Sequence, residues 1–142
     1  MKRNRLIVEF EYDFKLFGLI STASEHRLAW EINSALGIKL VRQEDIELKF
    51  IDNKNLIISN FIFGKEPSIF RLLKNKSLGI SNTSNLYLLP EIKQFDYLIL
   101  IQGFEQSFDI REVVDKLNNV GIIQYTVSIE LEKLKSKENL IF

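Results

Sequence analysis

Leu89-Pro90-Glu91-Ile92-Lys93-Gln94-Phe95-Asp96-Tyr97 runs directly into Leu98-Ile99-Leu100-Ile101-Gln102-Gly103. A Pro-led turn is thus followed at once by the most apolar run of the chain. Proline at a first helical position gives up no needed N–H and has its φ preset, so Pro90 starts a short helical turn over 90–95. Glu91 sits at the positive end of that turn. Asp96 and Tyr97 lead into a strand over 97–102. Residues 98–101 show no polar alternation, which predicts a strand covered on both faces in the middle of a sheet. Gly103 ends it.

Working outward, a helix follows. Phe108 is placed as a hydrophobic staple, Asp109 as the cap and Glu112 as its capping-box partner. Ile110, Val113, Val114 and Leu117 form the apolar face, and Gly121 is the expected stop. Ile123, Tyr125, Val127 and Ile129 then alternate in a strand over 122–131. Strand, helix and strand make a C-terminal β-α-β unit. Upstream, Leu6, Val8, Phe10, Tyr12, Phe14 and Leu16 alternate with Ile7, Glu9, Glu11, Asp13 and Lys15 in a period-2 strand that breaks near Asp13. Thr22-Ala23-Ser24-Glu25 reads as a capping box for a helix that runs to about Leu36 and stops at Gly37. Short strands follow over 38–41 and 46–51, with a turn at 52–55 and a return strand over 56–63. The segment 64–67 turns the chain into a strand over 68–73, with Phe70 and Leu72 on one face. Residues 75–85, rich in Ser, Asn, Gly and Lys, read as a loop. A short strand over 86–89 delivers the chain to the turn. The fold class is α+β: a single domain over 1–142, with two main helices on one largely antiparallel sheet.

The nine residues 89–97 resemble the signature of the IPExxxVDY family, a bacterial family without an assigned function. Pro90, Glu91, Asp96 and Tyr97 match its fixed letters, Leu89 stands for the Ile and Phe95 for the Val. Three further blocks are similar to the family: Tyr12-Asp13-Phe14 into Phe17-Gly18, Arg27-Leu28-Ala29-Trp30, and Lys135-Ser136-Lys137-Glu138-Asn139-Leu140. The resemblance spans nearly the whole chain. It implies a small intracellular protein and carries no known activity.

Composition narrows the function classes. The 142 residues carry 46% apolar and 27% charged side chains, including eleven Phe, four Tyr and one Trp, which supply an ordinary globular core. Lys plus Arg equals Asp plus Glu at 19 each, and the compact basic cluster Lys2, Arg3 and Arg5 reads as a solvated terminus, so nucleic acid is not the expected partner. No apolar run reaches the roughly 18 residues of a membrane span, and none has the form of a signal peptide. Cysteine is absent, which removes disulfides, zinc–thiolate sites and thiol chemistry and fits a cytoplasmic protein.

Catalytic patterns are equally sparse. With one His and no Cys, metal binding reduces to a carboxylate site for a hard cation, and no loop has calcium spacing. No cofactor is expected: G-x-S-x-G, P-loop and G-x-G-x-x-G patterns are missing. His26 as a general base lacks a visible partner. Glu91 and Asp96 are a candidate carboxylate pair for acid–base work, and an enzyme using them requires a pocket where they meet Arg27 or Arg42. The competing reading is structural: Glu91 on a helical dipole, Asp96 capping backbone or pairing with an Arg.

The feature that points elsewhere is Trp30. At about 100° per residue it lies roughly 150° from the apolar face of its helix, among His26, Arg27, Asn33 and Ser34. Either another segment, such as the C-terminal tail, covers it, or these residues form a partner surface, where Trp is enriched. Trp30, Arg27, His26 and Asn33 are therefore the candidate binding residues. The function expected is a non-catalytic binding or protein-interaction module. The alternatives are an enzyme of unrecognised type and a protein that self-associates through Trp30 or an open sheet edge.

Overall fold

A computed structural model describes residues 14–49, 55–65, 68–78, 86–103 and 109–141. Strands β1 (Phe14–Ile20), β2 (Val41–Lys49), β3 (Asn55–Lys65), β4 (Ser68–Lys74), β5 (Tyr97–Gln102) and β6 (Tyr125–Ile129) form one sheet in the order β2-β3-β4-β5-β1-β6. Every neighbouring pair is antiparallel. Helices α1 (Glu25–Leu36) and α2 (Ile110–Asn118) complete an α+β fold.

β5 is interior, between β4 and β1. Its lack of alternation follows from having two apolar clusters to serve. Tyr97, Ile99 and Ile101 enter the cluster beneath the helices, with Leu28, Ala29 and Ile32 of α1 and Val113 and Leu117 of α2. Leu98 and Leu100 enter the opposite cluster with Leu88, Leu89, Phe95, Leu134 and Leu140. The sheet is thus covered by helices on one side and by the turn 88–96 plus the segment 131–141 on the other. β5 and β6 each run antiparallel to β1, so they are parallel to each other with β1 inserted between them. The β-α-β unit is present in split form.

Several boundaries differ from expectation. The Phe14–Ile20 strand extends past Leu16, and 16–19 are buried on both faces, which removes the polar alternation that would have marked them. The expected strand residues 6–13, the basic cluster and Phe108 lie outside the described residues. α1 is capped by Ser24, whose Oγ accepts from Arg27 N at 3.3 Å. The cap thus lies two residues beyond Thr22, and Arg27 rather than a Glu occupies the third helical position, so no capping box forms. Gly37 does close α1 at φ 70°, in the left-handed region that suits glycine. Residues 38–40 are not strand. β2 is one strand from Val41, with a register shift between Gln43 and Ile46 that breaks the periodicity into what reads as two pieces.

The expected strand over 86–89 is a single bridge, Lys76 to Tyr87. Asp109 caps α2 through Arg111 N at 2.9 Å, while the Glu112 carboxylate faces Lys116 at 3.9 Å. α2 stops at Asn118 with Asn119 as its C-cap, and Gly121 lies in the following turn. β6 is five residues rather than ten, because 122–124 belong to that turn and 131–133 form a 3-10 helix.

Candidate functional site

The turn before β5 is built around Asn75, which is fully buried at 0% exposure. Its Nδ2 donates to the carbonyls of Ile92 (3.3 Å) and Phe95 (3.0 Å), and its Oδ1 accepts from Leu89 N at 2.9 Å. Its backbone N donates to Asp96 O at 3.0 Å, and its carbonyl accepts from Leu88 N at 2.7 Å. One side chain therefore ties together both ends of the 3-10 turn Pro90–Ile92, beyond the turn's own bonds from Ile92 N to Leu89 O and Phe95 N to Ile92 O. Reading 75–85 as a loop missed this residue. Its one sequence signal is an Asn placed directly after the apolar strand β4.

Each motif side chain then ties the turn to a different element. The Glu91 carboxylate accepts from Ser136 N at 2.7 Å in the C-terminal segment. Burial alone would raise this carboxyl, but hydrogen bonds from the Ser136 N–H, the Glu91 N–H, the Ser136 hydroxyl and the Lys135 N–H together outweigh burial and hold it below its ordinary range. Phe95 packs over Gly18 of β1. Asp96 Oδ2 accepts from Ser21 N at 2.9 Å, just beyond β1. The Tyr97 hydroxyl donates to Ala23 O at 2.7 Å, one residue before the α1 cap. That hydroxyl is pushed up to about 12, chiefly by burial and further by the carboxylates of Glu25 and Asp96. Ser21 completes the junction: its Oγ donates to Ile122 O at 2.5 Å and accepts from Ala23 N at 3.2 Å. The motif is thus a clamp joining β1, the entry to α1 and the segment 131–141.

Glu91 and Asp96 are engaged with different elements. One carboxylate serves the C-terminal segment, the other the β1–α1 connection. A cleft of about 410 Å³ opens at the start of α1, lined by Thr22, Ala23, Ser24, Arg27, Gly121, Ile122 and Gln124. Neither motif carboxylate nor Arg42 lines it. Arg42 pairs instead with Asp45 at 2.7 Å and approaches Glu25 at 3.7 Å. Among the described residues no group of three or more His, Asp or Glu is placed to hold a metal.

The outer surface of α1 carries the other candidates. Trp30 is 64% exposed. The C-terminal segment does not cover it, since Leu134 and Leu140 pack on the opposite side of the sheet. Arg27 pairs with Glu31 one turn on, at 3.6 Å. The His26 ring meets Phe61 edge-on, centroids 5.4 Å apart, and the Arg42 guanidinium lies 5.9 Å from the same ring. Asn33 does structural work: its Oδ1 accepts from Leu40 N at 2.8 Å and its Nδ2 donates to Leu40 O at 3.4 Å, holding the link from α1 to β2. Of the four candidates, Trp30 alone offers a large unengaged apolar surface, with Arg27 beside it one helical turn away.

No protein-family model matches the chain, and neither curated proteins nor solved structures give a match.

Proposed function

We propose that this chain is an IPExxxVDY-family protein of the bacterial cytoplasm that acts as a non-catalytic protein-interaction module, with the outer face of α1 as its contact surface. One observation carries the reading: the chain's single Trp is 64% exposed on a helix whose opposite face is buried. A solvent-facing Trp exposes a large apolar ring that a partner surface would remove from water. Arg27 supplies a charged neighbour of the kind common at interfaces. The carboxylates that an enzyme would use are each engaged with backbone N–H groups of different elements. No described helix is long and apolar enough to cross a membrane.

The test is capture of partners from native lysate on immobilised wild-type protein and on Trp30→Ala, with quantitative mass spectrometry. The reading expects a defined set of proteins retained by wild type and lost from Trp30→Ala at equal thermal stability. Identical retention by both would remove α1 as the contact surface.

A further inference from the structure

We propose that residues 131–141 form a latch that opens as a unit while the sheet stays folded, and that Glu91 is its catch. Among the described residues the segment pairs with no strand. Its 3-10 helices, Leu131–Lys133 and Lys137–Leu140, close mainly on themselves: Leu134 N donates to Leu131 O, Asn139 N to Ser136 O and Ile141 N to Glu138 O. Such short-range bonds add nothing to the cooperativity of the sheet. Glu132, Lys133, Lys135 and Glu138 face solvent, while Leu134 and Leu140 are the segment's buried anchors. Segments with exposed backbone bonds and few buried apolar side chains open at lower free energy than core strands.

The segment is held to the body by the turn before β5. Glu91 Oε2 receives Ser136 N, and Asn139 Nδ2 donates to Leu88 O at 2.8 Å. Release withdraws Leu134 and Leu140 from the cluster that contains Leu88, Leu89 and Phe95. The sheet below keeps its ladder, because β5 remains paired on both sides with β4 and β1. The motif therefore divides into two functions: Asp96 and Tyr97 fix the entry to α1, and Glu91 governs whether the second apolar cluster is covered. This device is independent of the α1 surface.

Amide hydrogen exchange on the full chain tests it, with the amides of Leu134, Ser136, Asn139 and Ile141 compared with those of β5. In wild type the segment should exchange at least about tenfold faster than β5. Glu91→Gln replaces a charge-assisted hydrogen bond by a neutral one and should speed exchange of the segment about five- to tenfold while β5 stays unchanged. Exchange of the segment at the β5 rate in wild type overturns the proposal. So does a Glu91→Gln effect that is absent or is shared equally with β5.

Discussion

The ring of Phe95 lies directly on Gly18. A Cβ built at position 18 would stand 2.6 Å from Phe95 Cγ and 2.8 Å from Ile129 Cδ1, closer than carbon atoms approach. A residue of the motif and a residue of β1, 77 positions apart in sequence (95 − 18), are therefore fitted to each other by the lack of a side chain at one of them. Gly18→Ala should destabilise by about 1–3 kcal/mol through overpacking. In the Phe95→Ala background the same change should cost less, because the ring is gone and only the end of the Ile129 side chain, which can turn aside, still stands in the way. Urea unfolding of the two single variants and the double variant reads the coupling. Additive costs would mean that the two residues do not meet.

Asn75 should be among the most sensitive polar positions. Asn75→Ala leaves Leu89 N without its acceptor and the Phe95 carbonyl without its side-chain donor in a buried site, and takes one of two donors from the Ile92 carbonyl. At about 1–3 kcal/mol for each stranded buried group, the loss should reach at least about 2 kcal/mol. A loss below about 1 kcal/mol in urea unfolding would show that the turn before β5 holds itself together.

Glu91 predicts a pH effect of known sign. Its folded carboxyl sits below the ordinary value of 4.5, so its contribution is present above that value and lost as pH falls below it. Glu91→Gln should therefore change global stability little and flatten part of the acid limb of the stability curve below about pH 4.5. Thermal unfolding of both proteins from pH 3 to 7 measures it. Parallel curves would contradict the Ser136 contact.

Trp30 reports its own surroundings, because it is the only Trp in the chain. The free monomer should emit at long wavelength and be quenched readily by acrylamide, and Trp30→Ala should alter stability by no more than about 0.5 kcal/mol. A blue-shifted, protected emission in a proven monomer would contradict the exposed position. The same signal in a dimer would make α1 a self-association surface.

Much of the framework is legible in the sequence, and the reasons are local. The apolar run 98–101 places β5 inside the sheet because nothing but two covered faces tolerates it. Gly37 and Asp109 mark helix ends through cap chemistry that acts within one turn. The displacement of Trp30 from its apolar face follows from helical geometry alone. What escapes is non-local. The cap of α1 moves to Ser24 because Ser21 to Ala23 are held by Asp96, Tyr97 and Ile122, from distant parts of the chain. Glu91 looks like a residue for a helical dipole, yet its principal partner is an amide 45 residues further on. Asp96 is exposed as a residue rather than buried, with one carboxylate oxygen turned inward. Asn33, read as a binding residue, is engaged by the backbone of Leu40. In each case the side chain's partner is fixed by topology, which periodicity and spacing do not encode.

Both motif carboxylates hold backbone N–H groups of distant segments, a building role for the motif. Thermal unfolding of Asp96→Ala beside wild type tests it most directly. Removing the carboxylate strands the amide of Ser21, a residue that is 2% exposed, and loosens the entry to α1. The loss expected is about 1–3 kcal/mol, with a clearly lower melting temperature. Carboxylates held for catalysis behave in the opposite way, since replacing them commonly relieves strain and leaves stability unchanged or raised. A variant that melts at or above the wild-type temperature would contradict the account and make a carboxylate active site the leading explanation of the motif.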